Sequence, residues 1–308
     1  MSEEIIKRIT GLLIIEAVNS NPNGNPDQES DPRVRSNGQG EISPVSFKRK
    51  LRDLMELTEG PVFQKVTQNL PNVPDGYQFG ILESRERDIA SIHDEQKEGQ
   101  PKKGKGKIDF DQSIFVQSPF VKKYWDARLF GNTFLEKDMD KGFIKTGIVQ
   151  FGMGLSVSSV TIQRHTNTKK APLDDEKGSG MAPLAYRVVE HGVYVMPFYI
   201  NPSLAKKSGC KPCDVELLKR LIPYAYDHTR SAIRPDVRIR HAWWIEHKDA
   251  LGSCPDYLLI DALMPKRNGD DPAAPSTSWS GCSGYDVPPD LPSELKQKVE
   301  CCKDLMAR

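Results

Sequence analysis

Residues 8–18, "RITGLLIIEAV", are apolar at successive positions, with Glu16 interrupting the run near its end. A strand apolar on both of its alternating faces has to be covered on both, so this stretch predicts a central strand in a sheet. It opens directly onto "NSNPNGNPD" at 19–27, nine residues with four Asn, two Pro and one Gly. Each of those residue types favours loops for its own backbone reason. A polar, amide-rich loop at a strand end is either an ordinary surface connection or a binding edge.

The next segment turns the balance toward a binding edge. After "DPRVRSNGQGE" comes "ISPVSFKRKLRDLMEL", which reads as a helix with Ser43 or Ser46 as its cap and Pro44 in its first turn. Phe47, Leu51, Leu54 and Met55 fall on one stripe. Arg33, Arg35, Lys48, Arg49, Lys50 and Arg52 put strong positive charge beside the amide loop, with Glu41 as the offset. Such a run is usually a solvated face, but a helix start carrying Ser and Lys also suits a phosphate. A second basic cluster, Arg230, Arg234, Arg238 and Arg240 with His228 and His241, precedes Trp243 and Trp244. In a strand those two tryptophans face opposite ways, so at most one is expected to stack a base.

Composition sets limits. The 308 residues carry 43 Lys and Arg against 42 Asp and Glu, so nucleic-acid binding has to come from local clusters. The charged start "MSEEIIKRIT" is not a signal peptide, and no apolar run is long enough to span a membrane. A soluble cytoplasmic protein without a membrane partner is expected. Six cysteines, including the pair Cys210 and Cys213, follow neither a disulfide framework nor a zinc-ligand spacing. No cofactor, metal site or nucleophile motif is expected. Asp27 and Asp31 are acidic residues of the first loop that could in principle bind a metal ion.

Boundaries follow from composition shifts. Residues 58–125 read as an inserted, mostly helical lobe containing the Lys/Gly-rich "KEGQPKKGKGKID". "GIVQFGMGLSVSSVTIQ" and "YRVVEHGVYVMPFYI" are strand-like and flank a polar excursion at 163–186. "CDVELLKRLIPYAYDHTR" is an amphipathic helix, with Pro223 as a kink, and "VRIRHAWWIEH" is a strand. Residues 265–308 are expected to be irregular with one last helix near Ser293 to Met306. What remains at 1–57, 126–162 and 187–264 is strand, helix, strands, helix, strand, an α+β core of the ferredoxin-like or RNA-recognition-motif-like (RRM-like) type.

Five stretches, "NSNPNGNPD…DPRVR", "SFKRKLRDL", "DARLFG", "GIVQFGMGLSV" and "AYDHTRSA", occur in an order and spacing that resemble the Cas-seven family, the backbone subunit of the type I CRISPR Cascade effector. The likeness is nearest to its subtype I-C (Csd-two/Csh-two) group and spans roughly residues 8–262. It implies a ferredoxin-like palm, a helical finger lobe at 58–125 and a thumb hairpin at 163–186. It also implies a non-catalytic, antiviral guide-RNA scaffold, copies of which stack head to tail in a filament. The guide, held by its backbone, pairs with target DNA. Partners implied are the Cas-five, large and small Cascade subunits and a recruited helicase-nuclease. By motif match, Ser46, Lys48, Arg49 and Arg52 contact phosphates, Asn21 and Asn23 lie near the sugar–phosphate chain, and Arg128 lies near the palm surface. Arg33, Arg164, His165, Lys169, Lys170, Arg230 and Arg234 complete the RNA-binding set, with Met181 as a base wedge at the thumb tip. The alternative is a type III-like relative that cleaves RNA using Asp27 or Asp31.

Overall fold

The computed structural model describes residues 5–85, 87–103, 107–108, 111–131, 144, 146–169 and 182–307. Eight strands form its main antiparallel sheet: β1 (Ile9–Ser20), β2 (Gln39–Ile42), β3 (Val149–Phe151), β4 (Gly154–Ser159), β5 (Ile162–Lys169), β6 (Ala182–Ile200), β7 (Val237–His247) and β8 (Val299–Asp304). Their spatial order is β8-β7-β1-β6-β4-β2, and β3 and β5 pair with other stretches of the long β6. The apolar run is central as expected, with β6 on one side and β7 on the other. Gly11 of β1 sits opposite Phe198 of β6, whose ring lies where a Cβ would project, with a ring carbon only 2.0 Å from that position.

Both faces of β1 are covered, and its residues divide accordingly. Leu13, Ile15 and Ala17 enter one core, and Leu12 and Ile14 enter another. The first core packs α1 (Pro44–Glu56), α2 (Pro61–Thr67) and, later in the chain, the helix Pro212–Leu221. Ser43 caps α1 by accepting from the Ser46 amide at 3.2 Å, Pro44 occupies its first position, and the Phe47/Leu51/Leu54/Met55 stripe is buried. Pro223 follows in a 3-10 turn, Ile222–Tyr224, that ends the Pro212–Leu221 helix.

Residues between the second helix and β3 build a smaller core of their own. It joins α3 (Ile89–Lys97), α4 (Gln112–Phe115), α5 (Pro119–Lys123) and α6 (Trp125–Phe130) through Ile92, Phe115, Phe120, Val121 and Ala127. Part of "KEGQPKKGKGKID" lies outside the described residues. β5 and β6 form a hairpin with register Ile162↔Val189 to Lys169↔Ala182. Lys170 and Met181 lie outside the described residues.

The chain's end differs from the expectation of an irregular tail with a long last helix. Only Ser293–Lys296 is helical there, and Val299–Asp304 joins the sheet edge against β7. Adjacent Cys301 and Cys302 are poor helix formers, and an open strand edge supplies the hydrogen bonds a helix would otherwise make. Tyr285, Leu291 and Val299 of this segment close the second core together with Leu259 and Leu263 of the helix Asp256–Leu263. No helix among the described residues is long and apolar enough to cross a membrane.

Candidate nucleic-acid interface

The amide loop leaves β1 through Asn19, whose φ of 44° is a left-handed conformation that Asn tolerates. Two of its asparagine side chains, Asn21 and Asn23, are turned inward to build the loop. Asn21 is 2% exposed and donates Nδ2 to the Ser30 carbonyl at 2.8 Å. Asn23 is 8% exposed and accepts at Oδ1 from the Ser43 amide at 2.7 Å, tying the loop to the first residue of the α1 cap. The Asn21 amide donates to Ile233 O at 2.7 Å, and the Arg33 amide donates to Asn23 O at 2.9 Å. Strand end, Arg33, α1 start and the 231–236 turn are thereby held as one unit.

Among the described residues, the buried polar atoms here without a hydrogen-bond partner include Asn21 Oδ1, Arg33 Nε, Ser231 Oγ and Arg234 Nε. An unmet buried donor or acceptor costs about 1–3 kcal/mol until a ligand or water supplies the bond. Lys50 adds to the concentration. It is 7% exposed, burial pushes its ammonium pKa down, and Arg234 is the largest charge lowering it further. Among the described residues no ion pair or hydrogen bond engages Lys50, and Asp53 is taken by Arg49 at 2.7 Å. Asp53, already held by Arg49, opposes that shift in part, and cations crowded beside unmet donors favour an anion. Lys50 lies three residues after Phe47, on the apolar stripe, and a cation at a stripe position was the sequence signal for its burial.

The other helix cations divide by partner. Lys48 lies over the Phe130 ring at 5.1 Å, and burial with neighbouring Arg52 pushes its pKa down to about 8. Ser46 is half-buried and spends its amide on the cap. Arg49 is committed inside the protein, to Asp53, to Glu56 at 2.6 Å and to the Glu83 carbonyl at 2.6 Å. Arg52, also expected at phosphates, is 8% exposed and donates Nε to the buried Asp126 at 2.8 Å.

Arg128 corrects the sequence reading most clearly. It is 0% exposed, and all five of its N–H donors are spent: on both carboxylate oxygens of Asp214 and on the carbonyls of Val121, Lys122 and Gln78. It is a structural arginine, with no donor left for a phosphate. Trp243 and Trp244 are 3% and 1% exposed, because a sheet covered on both faces buries both directions of the strand, so neither stacks a base.

Of the second cluster, Arg240 donates to the buried Glu16 at 2.7 Å, and Arg238 pairs with Asp236. Arg230 is exposed and faces Asp227 at 3.5 Å. On the hairpin, His165 is exposed with Gln163 Oε1 at 3.0 Å, and Arg164 reaches Asp31 at 2.5 Å. Lys169 is placed by its backbone pairing to Ala182. Asp31 is 8% exposed between Arg164 and Arg187, and the Arg164 hydrogen bond is the main cause of its lowered pKa. Asp27 is exposed. Among the described residues no three His, Cys, Asp or Glu side chains converge as metal ligands.

No curated protein matches the chain. Solved structures similar in part to the chain include the following two. One, titled "CRISPR RNA-guided surveillance complex, pre-nicking", is 17% identical, with 78% of this chain and 79% of that one covered and a TM-score of 0.44. The other, titled "CRISPR RNA-guided surveillance complex", is 15% identical, with 77% and 70% covered and a TM-score of 0.38. The family described as "CRISPR-associated protein Cas7" matches residues 7–283, nearly the whole sheet and its helices, and the chain belongs to that family.

Proposed function

We propose that this protein is a non-catalytic backbone subunit that holds a CRISPR guide RNA by its phosphates and stacks in copies along it, within a type I Cascade effector of subtype I-C. The observation that carries the reading is the crowd of cations at the amide loop, buried Lys50 beside Arg234, with unmet donors on Arg33 and Arg234. A site of that kind binds backbone and ignores bases, which suits a scaffold whose sequence specificity comes from the guide. Family membership supplies the biological setting. Within the eight-stranded sheet, the neighbours β7-β1-β6-β4, with α1 between β1 and β4 in the chain and the Pro212–Leu221 helix between β6 and β7, support reading it as an RRM-like palm, the 58–125 lobe as a finger and the β5–β6 hairpin as a thumb. Target DNA is then met through the guide, alongside the Cas-five, large and small subunits and a recruited helicase-nuclease.

The cleaving alternative has less support. Asp31 is occupied by two guanidinium groups, and a metal ion would have to displace both, while the exposed Glu29 is held by Arg187 and Asp27 is exposed. The deciding experiment expresses the protein with a CRISPR array and analyses what co-purifies. RNA of defined length in a large, regularly repeating assembly supports the scaffold. Nucleic-acid-free monomer, or regular target cuts abolished by Asp27→Ala or Asp31→Ala, overturns it.

A further inference from the structure

Arg164 on β5 and Arg187 on β6 are register partners, so two cations stand directly across the hairpin from each other on one face. Like charges so placed destabilise a strand pair unless a counter-charge sits between them. Asp31 supplies it, giving one oxygen to each: Oδ2 lies 2.5 Å from Arg164 Nη2, and Oδ1 lies 3.2 Å from Arg187 Nη1. Glu29 binds Arg187 as well, through its carboxylate and through its carbonyl at 3.1 Å. The carboxylate is itself fixed. Asp31 pairs with Asn25 in a two-residue ladder, and Glu29 and Ser30 before it adopt consecutive left-handed conformations, φ 47° and 65°, which non-glycine residues hold only when their surroundings enforce them. The Ser30 carbonyl is in turn gripped by Asn21.

From this we infer that Asp31 is a latch that fixes the direction of the β5–β6 hairpin relative to the amide loop, and so acts as a positioning residue for RNA bound there. The inference rests on the RNA-binding reading above. The Arg164 side chain is 63% exposed and Asp31's is 11%, so the latch leaves Arg164 donors facing solvent while the carboxylate stays enclosed. Only the hairpin base is involved, and none of the sheet cores includes Asp31. Removing the charge therefore releases the hairpin and leaves the sheet intact.

The test uses the full-length protein with Asp31→Asn, Asp31→Glu and Arg164→Gln. In hydrogen exchange without RNA, Asp31→Asn is expected to speed the amides of 162–165 and 187–189 about tenfold, with the centre of β1 unchanged. Asp31→Glu is expected to restore part of the protection, and Arg164→Gln combined with Asp31→Asn to add little beyond Asp31→Asn alone. On a guide-length RNA the same variant should keep phosphate binding but lose the regular spacing of the nuclease-protection pattern. Unchanged hairpin exchange overturns the latch, as does acceleration throughout the sheet. Should Asp31→Asn not fold, Arg164→Gln alone decides by the same hairpin amides. A regular protection pattern in a variant with a loosened hairpin overturns the positioning role. If the parent protein binds no RNA, the functional reading fails and the positioning role with it, while the exchange result still decides the latch.

Discussion

Arg52 and Asp126 meet at 2.8 Å across 74 residues of sequence, joining the first helix to the segment that follows the inserted lobe. Asp126 is 0% exposed and also accepts from the Leu82 amide at 2.7 Å and the Glu83 amide at 3.2 Å. One carboxylate thus orients a helix, a loop and the entry to the lobe.

Arg52→Ala leaves that carboxylate buried without its cation, a change that costs about 3–5 kcal/mol in comparable pairs. The expected result is a large drop in the urea midpoint, with RNA affinity of the folded fraction little altered. Equilibrium denaturation beside a binding titration checks it. A stable variant with weakened RNA binding would return Arg52 to the phosphate site.

Lys50→Ala and Arg234→Ala are expected to do the reverse. Among the described residues neither side chain is in an ion pair, so each substitution should be neutral or mildly stabilising. Binding to single-stranded RNA should weaken equally for unrelated sequences, with the log–log salt slope falling by about 0.7 per lost phosphate contact. A slope identical to that of the parent contradicts the site.

The phosphate role that motif match implies for Lys48 predicts a pH dependence. Its ammonium is pushed down to about 8 by burial and by Arg52, and a phosphate favours the charged form. Binding therefore takes up a proton wherever the free protein has lost it. Affinity should be flat below pH 8 and fall above it, approaching tenfold per pH unit for the one linked proton. Fold stability moves in the opposite sense: between about 8 and the ordinary value of 10.5 the unfolded chain holds more protons, so this group adds stability as pH rises. Anisotropy titrations of Lys48→Arg from pH 7 to 9.5 should lose the decline. An unchanged decline assigns it elsewhere.

Glu16 anchors the other face. Burial acts to raise its pKa, but hydrogen bonds from His191 at 3.2 Å and Arg240 at 2.7 Å outweigh it, and the net shift is downward. His191 Nδ1 continues to Ser276 Oγ at 2.7 Å, linking β1 to the C-terminal segment. A lowered carboxylate contributes stability that is present above its unfolded value of 4.5 and is lost as pH falls through the folded value. The stability difference between the parent and Glu16→Gln should be constant above about pH 5.5 and shrink below 4.5. A difference that stays constant down to pH 3 contradicts the assignment.

Local pattern was enough to read the central strand and the first helix. An apolar run with no polar face could only be a central strand, the Phe47/Leu51/Leu54/Met55 spacing could only bury one side of a helix, and Asn-rich loop and basic helix stood adjacent because they are adjacent in the chain. Motif order carried the family. Local patterns of this kind are read from periodicity, which survives any tertiary arrangement. Tertiary structure decided which cations remain free. Arg49, Arg52, Arg128 and Lys50 look alike in sequence, but Asp126 is 74 residues from Arg52 and Asp214 is 86 from Arg128, and those carboxylates consume them. Lys50 meets instead a second cation, Arg234, brought in by the turn against Asn21. The fate of both tryptophans and of the chain's end was settled the same way, by a second layer over the sheet. A charge's availability is a balance of burial and long-range partners, and neither is written in the residues beside it.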